Sequence, residues 1–160
     1  MNIQYKGEIY MLKIGWSTKD VATNDPVVLP GQFHIRVSKG CLDSMQVCAL
    51  VVDSGEDLVI FLQCDLVAAR GILDEIREKV AKRNPEIDTS KIIVNVTHTH
   101  CGPLLNKGED LGSWGSLSAL PHEGVEITPP GEYREFFTNQ AADAICEAYE
   151  NRSAGSFGYG

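Results

Sequence analysis

The chain has 160 residues, enough for one domain with a real core and too few to expect two. Its hydrophobic fraction of 43% and charged fraction of 22% are those of a globular chain, and nothing in it reads as a membrane span. A net charge of −8 argues against a phosphate-binding surface, so nucleic acid is not an expected partner, whereas small neutral substrates stay open.

The opening residues, Met1 to Lys6, lack the apolar core of an export signal. The five cysteines (Cys41, Cys48, Cys64, Cys101 and Cys146) form no CxxC pair and mostly sit in apolar runs, which suits reduced thiols. A cytoplasmic setting is therefore expected, and the sequons at Asn95 and Asn151 read as accidental. Met11–Trp16 reads as a first short strand, followed by turn-forming residues Ser17–Asp20 and Asp25-Pro26. Val27–Val37 reads as extended but irregular, because Pro30-Gly31 interrupts it. His34 and Arg36 fall on one side of that segment, either as the polar face of an edge strand or as residues that meet a substrate.

Met45–Val52 and Leu58–Leu62 are near-continuous apolar runs around the compact turn Asp53–Asp57, and they predict a hairpin of two buried strands. From Ala69 to Arg83 the period becomes helical, with Ile72, Leu73, Ile76 and Val80 on one stripe. Asn84-Pro85 ends that helix. Ile92–Val96 is the next strand. Residues 58–97 thus predict a β-α-β unit with its two strands parallel, inside an α/β fold with a mixed β-sheet and flanking helices. Sites in such sheets gather beyond the carboxyl ends of the strands. Asp65 follows one strand end and His98 the other, so Asp65 either orients a ligand histidine or only closes a turn.

Thr97-His98-Thr99-His100-Cys101-Gly102-Pro103 is the most pointed stretch. Strand alternation over it would throw both imidazoles to one face, where they bind a metal, move protons or are simply solvated. Residues 104–131 show no clear periodicity and much Gly, Pro and Ser, as a binding loop or lid does. Trp114 and His122 lie there, facing substrate or, for Trp114, anchoring its own loop. Arg134–Asn151 reads as a second helix with Phe137, Ala141, Ala144, Ile145 and Ala148 inward, and residues 153–160 as the opening of another strand.

The stretch from Thr97 to Pro103 resembles the T-H-T-H-S-G-P signature of the neutral, non-lysosomal ceramidases, with Cys101 where that family usually has serine. His34-Ile35-Arg36, Ala49–Val52 and Cys64-Asp65-Leu66 are similar to further elements of the family in the same order, as Ala141–Ala148 is to its following helix. The resemblance implies a zinc-dependent amidohydrolase that cleaves the N-acyl amide of a ceramide-like lipid, in sphingolipid metabolism. It makes His98 a zinc ligand and His100 the residue that stabilises the transition state, with Asp65 beside them. His34, Arg36 and Trp114 are candidates to meet substrate.

The family's other zinc ligands are expected downstream of Gly160, so the chain is expected to be an incomplete N-terminal part of a larger catalytic domain. On its own it should bind zinc weakly and be inactive. Such a partial sheet would expose apolar surface and a strand edge, through which self-association is expected. The alternatives are a related zinc hydrolase acting on another amide or ester, or a non-catalytic ligand- or partner-binding domain on the same scaffold. A redox protein is disfavoured, because Cys101 has no second cysteine to complete a dithiol.

Overall fold

The computed structural model describes residues 2–5, 8–119, 124 and 126–158. Its centre is a five-stranded sheet. The strands of that sheet are Lys13–Asp20 (β3), Gln46–Asp53 (β6), Leu58–Cys64 (β7), Ile92–Val96 (β8) and Ser153–Ala154 (β9), in the order β8-β7-β6-β3-β9. Two small hairpins precede or flank it: Asn2–Tyr5 (β1) with Glu8–Met11 (β2), and Val28–Leu29 (β4) with Arg36–Val37 (β5). The helices are Leu73–Arg83 (α1) and Pro130–Glu150 (α2).

β7 and β8 pair in parallel, with Ile60 opposite Ile92 and Cys64 opposite Val96, and α1 lies between them in sequence. The β-α-β unit read from residues 58–97 is therefore present. β6 and β7 pair antiparallel around the Asp53–Asp57 turn, as the apolar runs predict. Among the described residues, these strands are covered on one face only. Val47, Ala49, Val51, Ile60, Leu62, Cys64 and Ile92 are buried with Ile76 and Val80 of α1 and Phe137, Ala141 and Ile145 of α2. On the other face Trp16, Leu50, Phe61 and Ile93 stand in one row across β3, β6, β7 and β8. In that row Trp16 is 69%, Phe61 41% and Ile93 50% exposed. A strand apolar on both faces reads as doubly buried; here the second face stands open.

Several expected boundaries move. Ser17–Asp20 is strand, not turn, because Ser17, Thr18 and Lys19 pair with Ala49, Cys48 and Val47. Ser17 is buried and donates its hydroxyl to Glu147, so tertiary pairing overrides the local turn preference. α1 begins at Leu73 rather than Ala69, since Gly71 holds a φ of 71° that no right-handed helix accommodates. α2 begins earlier than expected, with Pro130 in the first turn where its missing N–H costs nothing. The β1–β2 hairpin was not expected. The 104–131 segment is partly structured: short 3₁₀ turns span Gly112–Trp114 and Leu117–Ala119, and Leu111 and Leu117 bury against Val28.

One buried polar cluster ties these layers together. Arg134 of α2 donates to the Glu75 carboxylate of α1 at 2.8 Å, to the Leu105 carbonyl at 2.7 Å and to the Gly71 carbonyl. Thr138 adds a 2.9 Å bond to the same carboxylate. Burial alone would raise the Glu75 carboxyl, yet the bonds from Thr138 and Arg134, with the charges of Arg134 and Lys79, hold it below the usual carboxylate range. The helices are thereby fixed at the segment that leads away from the His-Thr-His motif.

Candidate functional site

β7 and β8 end side by side, and the chain beyond each carries candidate residues. Thr97 continues the ladder for one step, its N–H donating to the Cys64 carbonyl at 3.1 Å. Then the strand stops. His98 takes a φ of 61°, and it is the sole non-glycine residue at positive φ among those described. That left-handed conformation costs about 1–3 kcal/mol at a non-glycine residue and collects at functional sites. It also means that strand alternation is not what brings the imidazoles together. A turn does so, leaving the two rings edge to face with centroids 5.2 Å apart.

The Nδ1 atom of His98 lies 2.7 Å from the Val67 carbonyl. A carbonyl oxygen only accepts, so Nδ1 carries the hydrogen and the neutral ring keeps its lone pair on Nε2. This is the arrangement of a metal-binding histidine, in which an outer acceptor fixes ring and tautomer. The acceptor is main chain, from the loop that follows β7. Asp65, the residue the sequence offers for that role, bonds elsewhere: its Oδ2 accepts from the Gln46 N–H at 2.8 Å and its own N–H donates to the Gln46 carbonyl at 3.0 Å. Asp65 thus prolongs the β6–β7 pairing by one residue.

His100 is half-buried against the loop between β4 and β5. Its Nδ1 is 3.5 Å from Nε2 of Gln32, and its carbonyl accepts from the Arg36 guanidinium, which also donates to Pro30 O at 3.1 Å. Behind the motif, Gly102 is buried so tightly that a Cβ there would sit 2.7 Å from the Asp65 carbonyl oxygen. Gly102 therefore has a packing role, the strand having already ended at Val96.

A cavity of about 940 Å³ lies on the other side of this segment. Thr97, Thr99 and Cys101 line it with His34, Arg36 and Asp65, while apolar lining comes from Leu29, Ile35, Leu42 and Met45 among others. His98 and His100 do not line it. The odd-numbered residues of the motif face the cleft and the even-numbered imidazoles face away. The imidazole pair thus lies apart from that cavity, with one of its rings held by a main-chain acceptor. Trp114 sits on its 3₁₀ turn, 38% exposed, and lines neither place. His122 lies outside the described residues.

The donor set fits a metal in part. His98 keeps a lone pair on Nε2, but among the described residues no three His, Cys, Asp or Glu side chains converge to hold an ion. Catalytic zinc takes three protein ligands and a water. Among the described residues no helix is long and apolar enough to cross a membrane. Gln32 and Val67 were not legible as site residues, since one has no motif around it and the other acts through its carbonyl.

Among the solved structures that share this architecture, two are ceramidases. One is neutral ceramidase from Pseudomonas aeruginosa, similar with a TM-score of 0.68 at 14% identity, over 92% of this chain and 23% of that one. The other is a ceramidase complexed with C2, at 0.66 and 15%, over 91% and 22%. The chain has the fold of part of a ceramidase. It spans less than a quarter of the length of either ceramidase chain. A scan of protein-family models finds no match, and no curated protein matches in sequence. At such low identity the likeness is one of fold, and it agrees with the resemblance carried by Thr97–Pro103.

Proposed function

We propose that the chain carries part of the active site of a zinc-dependent amidohydrolase that cleaves the N-acyl amide of a ceramide-like lipid, and that further polypeptide completes the metal site. The observation that carries this is His98: a strained residue just past a strand end, with Nδ1 committed to the Val67 carbonyl and Nε2 left to a cation. A zinc ion bound there would polarise the amide carbonyl and lower the pKa of a bound water. His100, one ring away, is near enough to donate to the oxygen that gains charge or to the leaving amine. Arg36 keeps His100 in place through its main chain, and Gly102 locks the whole turn against the end of β7. The free cysteines suit a reducing, cytoplasmic compartment.

The test is release of fatty acid from a short-chain ceramide by protein that supplies every ligand. His98→Ala should abolish zinc-dependent turnover, and His100→Ala should lower kcat by about 10²–10³-fold, the usual cost of one oxyanion donor. Undiminished turnover by His98→Ala would sink the proposal. The 160-residue chain alone should show no turnover.

A second reading rests on the 940 Å³ cleft, which is distinct from the imidazole pair and largely apolar. On that reading the chain is a binding module for an apolar ligand. Binding of the same lipid without zinc, unchanged by His98→Ala and weakened by Met45→Asp, would favour it.

A further inference from the structure

The loop from Pro30 to Arg36, between β4 and β5, closes on His100 from three directions. Arg36 bridges the Pro30 and His100 carbonyls with one guanidinium, stitching together segments 64 residues apart. Gly31, at φ 93°, passes so close to the ring that a Cβ would stand 2.7 Å from Nδ1 and 2.8 Å from Cγ. Gln32 brings its amide nitrogen to within 3.5 Å of the same Nδ1. No carboxylate pairs with Arg36 among the described residues, so its charge is committed to main-chain oxygens.

We propose that this loop is a seat that fixes His100 and selects its tautomer, with Gln32 and Arg36 as positioning residues. The hydrogen placement follows from donor chemistry. As the Gln32 amide is oriented its nitrogen faces the ring, and an amide NH₂ only donates, so in this arrangement Nδ1 of His100 offers a lone pair and the neutral ring carries its hydrogen on Nε2. His98 is held the opposite way, with hydrogen on Nδ1 and the lone pair on Nε2. Two histidines two residues apart are thus given complementary outer atoms, one that binds a cation and one that donates to an oxygen. The division of labour rests on the hydrolase reading; the tautomers themselves do not. Both bonds leave the same terminal nitrogen of Arg36, whose two hydrogens reach the two carbonyls.

The experiment is long-range ¹H–¹⁵N spectroscopy of the histidine rings in the ¹⁵N-labelled chain, without metal, at a pH of about 8.5, well above the ordinary imidazole range near 6.5. The expected result is a single Nδ1–H tautomer for His98 and a single Nε2–H tautomer for His100. Gln32→Leu should lose the single-tautomer pattern at His100, and Gln32→Glu should invert it, because a carboxylate accepts. Both should leave His98 unchanged. Arg36→Lys should move the His100 signals alone; Gln32 is exposed, so its variants keep the test decisive if Arg36→Lys unfolds. An Nδ1–H tautomer at His100 in the unaltered chain, or no response to either Gln32 variant, would overturn the proposal. Zinc added afterwards to the same sample tests the hydrolase reading separately, since the metal-free tautomers stand whatever the zinc does.

Discussion

Gly102→Ala is the substitution whose sign says most about how the motif is held. Glycine here does not escape a forbidden φ, since Gly102 is absent from the glycines at positive φ. What glycine supplies is space. The added methyl would lie 2.7 Å from the Asp65 carbonyl oxygen and 3.1 Å from Cε of Met45. Ordinary contact with an oxygen begins near 3.4 Å, so about 0.7 Å of movement is required. Met45 can give way, being flexible. The carbonyl cannot, because Asp65 is bonded on both its N–H and its carboxylate to Gln46. Overpacking of this kind costs about 1–3 kcal/mol. A tolerated Gly→Ala change works the other way, stabilising by about 0.4–1 kcal/mol through the unfolded chain. Urea unfolding separates the two. With m of about 2 kcal/mol/M, the midpoint should fall by roughly 0.5–1.5 M at constant m. Amide shifts should concentrate at residues 65–66 and 97–103. A raised midpoint would refute the close-packed turn on which the placement of His98 rests.

Thr138→Val removes one bond to Glu75 and should cost about 1 kcal/mol at neutral pH. Glu75 is held below its ordinary value, so its contribution is present above the unfolded pKa of about 4.3 and is lost as pH falls through the folded value. The gap between variant and parent in denaturant melts should therefore narrow under acid, and a gap independent of pH would contradict the assignment. Thiol labelling followed by peptide mass spectrometry should modify exposed Cys101 first. Cys64, whose thiol is pushed up to about 12 by burial with help from the charges of Asp65 and Cys48, should react only on unfolding. The open sheet face should make the chain associate with rising concentration in sedimentation velocity, and Trp16→Lys with Phe61→Lys should keep it monomeric. A parent chain monomeric at every concentration would count against that face as an association surface.

Much of this architecture is legible in the sequence because its signals are periodic. Ile72, Ile76 and Val80 mark α1, and the apolar runs on either side of Asp53–Asp57 mark the hairpin, without knowledge of their partners. Ser17–Asp20 shows the limit: its composition says turn, and only the neighbouring β6 makes it strand. The open face misleads for a related reason. Trp16, Phe61 and Ile93 carry the letters of a buried surface, and no local pattern tells whether anything covers them. At the site, the motif announces the two histidines but not their conformation. Thr-His-Thr-His looks like alternation, whereas the left-handed turn at His98 is imposed by contacts to Val67 and to the end of β7. Main-chain acceptors have no letter in a sequence, and neither does the fit of Gly31 around a ring 69 positions later.

The proposed function requires Nε2 of His98 to receive a divalent cation. Zinc titration of the ¹⁵N-labelled chain, read on the histidine rings, addresses it directly. The expected result is weak binding in which Nε2 of His98 shifts while its Nδ1–H persists, and in which His98→Ala removes the response. A zinc response centred on another residue, or none at His98 up to millimolar metal, would contradict it.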